Sequence, residues 1–215
     1  MIFFKFRRIL QYSDLLFGLI LGLLFLVRPT NIIFGLVCFL FNVFSWKSFK
    51  KRLLWSLDNS KFLALTILVA LAVCSVQFIY WKWATGDWIF NSYVGERFYF
   101  DRPRILNFLF SYRKGWLVYS PIFILSFLGL FKMYKNKNEW GLPVVITLIA
   151  TIYLFSCWWC WWFGGGFGMR PMVDYYPLLI IPIGELFKQK LTLLKNGVIT
   201  FILLCISFNL FQTLQ

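Results

Sequence analysis

The chain has 215 residues, of which 60% are hydrophobic, 22% aromatic and only 14% charged, with a mean hydropathy of +0.74; soluble domains carry about 25% charged residues. Its apolar residues fall in long uncharged blocks, which excludes a water-soluble globule, a disordered or fibrous chain and a disulfide-stapled secreted protein, and indicates an integral membrane protein. The 22 Lys and Arg against 8 Asp and Glu, a net charge of +14, then read as membrane topology and not as nucleic-acid binding.

Seven helical crossings are predicted in chain order. The opening MIFFKFRR precedes an apolar run that ends at Arg28-Pro29 without a small-residue cleavage site, so the run is a retained helix and not a signal peptide. Residues 9–27 and 31–49 form a helical hairpin turning at Arg28-Pro29-Thr30, because one continuous helix would carry an arginine and a proline near its middle. Asp14 snorkels from the first of these. The remaining crossings are 62–81, 116–131, 140–158, 176–187 and 196–211, the sixth short and bearing Pro177 and Pro182. The expected fold is an all-α polytopic bundle, a single membrane domain over residues 1–215.

Alternate loops must share a side of the membrane. One side collects Lys5, Arg7, Arg8, Lys47, Lys50, Lys51, Arg52, Lys61, Lys132, Lys135, Lys137, Lys188, Lys190 and Lys195. The other collects Arg28, Lys82, Arg97, Arg102, Arg104, Arg113, Lys114 and Arg170. The excess on the first side makes the amino terminus cytoplasmic and the carboxyl terminus extracytoplasmic.

Histidine is absent, which removes Ser-His-Asp chemistry and His-based zinc sites from this chain. The five cysteines, at 38, 74, 157, 160 and 205, all lie in apolar stretches. Cys157 and Cys160 make a C-x-x-C, but Trp158, Trp159, Trp161 and Trp162 around them provide none of the electropositive, wet setting that redox or metal chemistry needs.

The informative polar residues are therefore those of the outer side, where basic charge needs a reason other than topology. The loop 82–115 is long enough to require order. Within it, residues 104–112 are bracketed by Pro103 and Gly115, and Ile105, Leu106, Phe108, Leu109 and Tyr112 share one helical face; a short helix is predicted there, lying in the headgroup plane. Arg97, Arg102, Arg104, Arg113 and Lys114 could hold a lipid phosphate, or simply bind ordinary headgroups. Asp87, Glu96, Asp101 and Asp174 are the outer carboxylates and the available general bases. Asp101 reads as a helix-start residue, while Glu96 and Asp174 suit acceptor or metal contacts, against a plain ion-pairing role for each. Gly164, Gly165, Gly166 and Gly168, followed by Arg170, form a loop that could present N–H donors to a phosphate; the alternative is a flexible turn in a tryptophan belt. Arg170 in that hinge calls for a ligand phosphate or a partner such as Asp174, and Arg28 at the first turn is read in the same way.

LVRPTN at 26–31, WATGDWIFNSYVGERFYF with RPRILNFLFSYRKGWLVYSP, and WWFGGGFGMRPMVDYYPLLIIP together resemble the carboxyl-terminal half of bacterial GT-C glycosyltransferases of the protein-mannosyltransferase-like group. The resemblance runs in order over most of the chain. It implies inverting transfer of a sugar from a polyprenyl-phosphate donor to a lipid, glycan or protein acceptor, on the extracytoplasmic face of a bacterial inner membrane. Arg28, Arg97, Arg113, Lys114 and Arg170 would face the donor phosphate. The family's catalytic carboxylate belongs to the first outer loop, which here is Arg28-Pro29-Thr30 without an acid. The chain thus looks like the second half of such an enzyme: a fragment, one partner of a split transferase with a separately encoded amino-terminal half, or a reduced enzyme that recruits Asp87, Glu96 or Asp174. No cofactor is evident, and nothing in the sequence supports a divalent metal. The alternatives are a non-enzymatic polyprenyl-lipid-binding subunit or a small transporter; for transport, Asp14 and Arg28 are the candidate ionisable residues, and no internal repeat is seen.

Overall fold

A computed structural model describes residues 13–90, 95–188 and 192–214, with side chains described from Leu15 and, after the last gap, from Lys195. Lys5, Arg7, Arg8, the start of the first crossing at Ile9, the Asp14 side chain, Lys190 and residues 91–94 of the long loop lie outside the described residues. The chain is all-α, with no strand among the described residues beyond an isolated bridge between Phe98 and Trp158. It divides into two compact units, residues 1–39 with 45–94, and residues 40–44 with 95–215.

In the first unit, helix α1 (Ser13–Val27) is followed by an extended Arg28 and a 3-10 segment, Pro29–Ile33, that leads into α2 (Phe34–Leu40). Pro29 sits where a first-turn N–H would be unpaired in any case. The crossing expected over 31–49 is corrected here, since its helix stops at Leu40. Asn42 takes a left-handed φ of 60°, which asparagine tolerates, and Ser45 opens a new helix, α3 (Trp46–Asp58). The Ser45 hydroxyl accepts from the Ser48 N–H while the Ser48 hydroxyl accepts from the Ser45 N–H, a reciprocal cap on two otherwise unpaired donors. The basic segment after Lys47, expected as a loop, is therefore helical.

Asn59 separates α3 from α4 (Ser60–Thr85), whose 26 residues reach about 39 Å at ~1.5 Å per residue. This helix ends at Gly86, where φ is +84° and the N–H returns to the Lys82 carbonyl. Helix α1 packs on α4 through Gly18 and Gly22, four residues apart. A Cβ would lie 2.5 Å from the Thr66 carbonyl oxygen at Gly18 and 2.7 Å from Val73 at Gly22, so only glycine permits this approach of the two backbones.

The second unit contains α5 (Ile105–Phe110), α6 (Trp116–Tyr119), α7 (Ile124–Lys135), α8 (Gly141–Ser156), α9 (Tyr176–Phe187) and α10 (Thr192–Thr213), with 3-10 segments at Pro121–Phe123 and Arg170–Tyr175. The helix expected over 116–131 is broken at Ser120, because Pro121 lacks an N–H and forces the preceding residue out of helical geometry. Helices α7 and α9 approach so closely at Gly129 that a Cβ there would lie 2.0 Å from the Pro182 carbonyl oxygen. Beside it the Ser126 hydroxyl donates to the Leu179 carbonyl at 2.8 Å. Leu125, Ile183 and Leu186 form a buried cluster that α10 covers with Val198, Phe201 and Ile202.

At the end of this unit where α7 and α9 both terminate, the buried Glu185 carboxylate accepts from the Asn136 amide (3.1 Å), the Asn138 amide (3.4 Å) and Lys188 (2.7 Å), while Lys132 donates to the Glu185 carbonyl. Every partner needed to bury this charge is present.

By length and composition, two helices among the described residues can cross a membrane, Ser60–Thr85 and Lys195–Thr213. The other expected crossings correspond to shorter or interrupted apolar helices such as Gly141–Ser156.

Candidate anion-binding cleft

The long loop is ordered where it is described, and the reason is the carboxyl end of α8. The last carbonyls of a helix have no partner within it. Here the Arg104 N–H donates to the Ser156 carbonyl at 3.0 Å and the Tyr99 N–H to the Cys157 carbonyl at 2.6 Å, while the Trp159 N–H donates back to the Arg97 carbonyl at 3.1 Å. The Tyr153 hydroxyl adds a bond to the Phe100 carbonyl at 3.0 Å. Rings close the seam: Phe98 meets Trp158 edge-on at 4.6 Å, and the fully buried Phe108 of α5 stacks on Phe155 at 6.5 Å. The predicted helix 104–112 is realised as α5, with Arg104 at its N-cap position. Tyr112 falls outside it and is 95% exposed instead of sharing the apolar face.

This stitching gathers arginines at the negative end of the α8 dipole. Arg97, Arg102 and Arg104 line a cleft of about 540 Å³ together with Tyr99, Ser156, Cys157, Trp158, Trp159 and Trp162. Arg97 lies over the Tyr99 ring with 4.7 Å between guanidinium carbon and ring centre. Arg102 pairs with Asp101 at 3.2 Å, both well exposed, a contact worth well under ~1 kcal/mol. Arg113 stacks on Trp162, which lines the cleft, with its guanidinium carbon 3.6 Å from the ring centre.

The glycine loop meets the next residue. Lys114 donates to the carbonyls of both Gly164 and Gly166. The loop therefore turns acceptors toward a cation, where N–H donors toward an anion were expected. Positive φ at Phe163, Gly164 and Gly168 makes this reversal of the chain. Gly166 in turn lies against Arg170, whose Cδ would be 2.7 Å from a Cβ placed there. Burial lowers the Lys114 ammonium below the usual lysine range, the Arg170 charge pushes the same way against an opposing effect of Cys160, and Arg113 adds the smallest lowering.

Of the expected donor-site residues, Arg97, Arg113, Lys114 and Arg170 thus belong to one unit, with Arg97 lining the cleft, Arg113 on Trp162, Lys114 bonded to the glycine loop and Arg170 against Gly166. Arg28 and Asp87 belong to the other unit. Glu96 and Asp174 are half-buried in the second unit, Asp174 within the 3-10 segment Arg170–Tyr175, and neither lines the cleft. Arg102 and Arg104, which line the cleft, stand outside the donor-phosphate set that the resemblance implies, and the tryptophans, for which an interfacial belt is the alternative reading, form its walls. Arg104 is fixed there by its N–H to the Ser156 carbonyl, a long-range contact that no local sequence signal shows. Among the described residues, no three His, Cys, Asp or Glu side chains converge to hold a metal ion.

Comparison with protein-family models, curated proteins and solved structures gives no match to this chain.

Proposed function

We propose that the chain is a multi-pass protein of a bacterial inner membrane, with about seven crossings and a cytoplasmic amino terminus, and that its arginine–tryptophan cleft binds the phosphate of a polyprenyl-phosphate sugar on the extracytoplasmic face. Membrane residence is supported by apolar faces turned outward: Leu68, Leu71, Val76 and Ile79 of α4 and Leu203, Leu204, Leu210 and Phe211 of α10 are all exposed. One observation carries the ligand. Three guanidinium groups, with Asp101 beside Arg102 as their carboxylate partner among the described residues, line a cleft whose other walls are three indoles, Tyr99, Ser156 and Cys157. Paired guanidinium donors match phosphate oxygens, and flat aromatic walls suit the apolar faces of a sugar and the first isoprene units.

In the transfer this reading entails, an acceptor hydroxyl attacks the anomeric carbon, the bond to the polyprenyl phosphate breaks with inversion, and the arginines take up the charge developing on the departing phosphate. The hydroxyl proton passes to a carboxylate, for which Glu96 and Asp174 are the candidates in this unit. Neither lines the cleft, and this favours a second reading: a polyprenyl-lipid-binding subunit whose catalytic acid comes from a separately encoded half.

Binding of a polyprenyl-phosphate sugar to the purified protein in nanodiscs tests both. Arg97→Ala and Arg104→Ala are expected to weaken binding at least about tenfold each. A folded protein that binds no such lipid, or variants that bind it as the parent does, would sink the proposal. Binding with turnover selects the transferase reading, and binding without turnover the subunit reading.

A further inference from the structure

The first unit contains a second cleft, of about 380 Å³, lined by Phe17 and Leu21 of α1, Gly35, Cys38 and Phe39 of α2, Arg52, Trp55 and Ser56 of α3, and Phe62 and Leu63 of α4. Its walls are hydrocarbon, aromatic ring and thiol, and its charged group is the half-buried Arg52. Helix α3, which forms one wall, has no buried residue. Trp46, Leu53 and Leu57 recur at helical spacing and are exposed, and Lys47, Lys50 and Lys51 are exposed beside them. Lys50 reaches over the Trp46 ring at 5.7 Å. With Arg52 these make four cations on α3 against the single acid Asp58.

Such a helix, basic and apolar at once, has the composition of one that lies in the headgroup layer of an anionic membrane. Its position agrees with that, because one residue, Asn59, separates it from the amino end of α4, the longest apolar helix described. We infer that α3 lies in the headgroup layer of the basic-loop leaflet, and that the cleft beneath it holds one anionic phospholipid, with an acyl chain against Phe17, Leu21, Gly35 and Phe62 and the phosphate on Arg52. Charge complementarity selects an anionic lipid over a zwitterionic one. This site is separate from the arginine–tryptophan cleft, which lies in the other unit.

Native mass spectrometry of the full chain, released from nanodiscs of phosphatidylcholine with phosphatidylglycerol, tests the inference. The parent protein should retain one phosphatidylglycerol in preference to phosphatidylcholine. Arg52→Gln should lower that retention about tenfold. Gly35→Leu should also lower it by filling the cleft, since the nearest atom to a Cβ at Gly35 is 3.6 Å away, at the end of the Leu21 side chain. Arg104→Ala, in the other unit, should leave it unchanged, so that this site and the polyprenyl-phosphate site fail independently. Should Gly35→Leu not fold, Arg52→Gln alone decides. Equal retention of the two lipids, undiminished retention in Arg52→Gln, or a lipid-free species in which a second copy of the chain takes the lipid's place would overturn the inference.

Discussion

Lys114 connects two segments that are far apart in sequence, the end of the long outer loop and the glycine loop, through hydrogen bonds to the carbonyls of Gly164 and Gly166. Because burial and the charges of Arg170 and Arg113 lower its pKa in the folded protein, the folded state holds fewer protons than the unfolded one between that lowered value and the ordinary lysine value. The charged form costs stability below this window, and the cost disappears as pH rises through it, so stability should increase with pH there. Lys114→Met should abolish that alkaline gain, and thermal unfolding in mild detergent followed across the window measures it. A gain of the same size in both proteins would assign it to another group. Glu185 illustrates a different balance, a buried carboxylate that Asn136, Asn138 and Lys188 satisfy from three directions. In sequence it is a lone acid at the end of an apolar helix, and nothing local shows that two asparagines from the α7–α8 connection reach it.

At the scale of the elements, glycines decide which helices pair. Gly18 and Gly22 bring α1 onto α4, and Gly129 brings α7 onto the Pro182 turn of α9. Gly129→Ala should therefore overpack the α7–α9 contact, because the new methyl would meet a backbone carbonyl at 2.0 Å, and should lower stability by about 1–3 kcal/mol. Gly184→Ala, two residues beyond Pro182 with nothing within 4 Å of the added methyl, should be neutral or stabilise by up to ~1 kcal/mol through helix propensity. Unfolding of the two variants side by side in the same detergent checks the pair, and equal destabilisation would show that close packing at Gly129 is not the cause. The helices broken at Asn42 and Ser120 show the converse. Hydrophobic runs read straight through both positions, while one left-handed residue and one X-Pro bond end the hydrogen-bonded ladder there.

At the scale of the molecule, the charges of the second unit lie at its two ends: Lys132, Glu185 and Lys188 gather at one end, and Arg97, Arg104, Lys114 and Arg170 are carried by the segments that join the opposite ends of its helices. If these ends face opposite sides of a membrane, Cys in place of the exposed Tyr112 (Tyr112→Cys) should react with a membrane-impermeant maleimide from outside sealed right-side-out vesicles, and Lys137→Cys only after the membrane is opened; labelling of both from the same side would refute the proposed topology of this unit. The all-α class, the turn at Arg28-Pro29, the short helix in the described part of the long loop and the bounds of the helix at 176–187 were legible in the sequence, because apolar run length, proline and charge placement act locally. The break of the second crossing, the helical nature of 46–58 and the pairing of helices were not, since they depend on caps and close backbone contacts whose partners are distant in the chain. The same holds for the cleft. Composition and loop position identify a set of outer arginines, but the unpaired carbonyls at the end of α8 determine which of them meet, because a helix end must find its donors wherever the fold brings them.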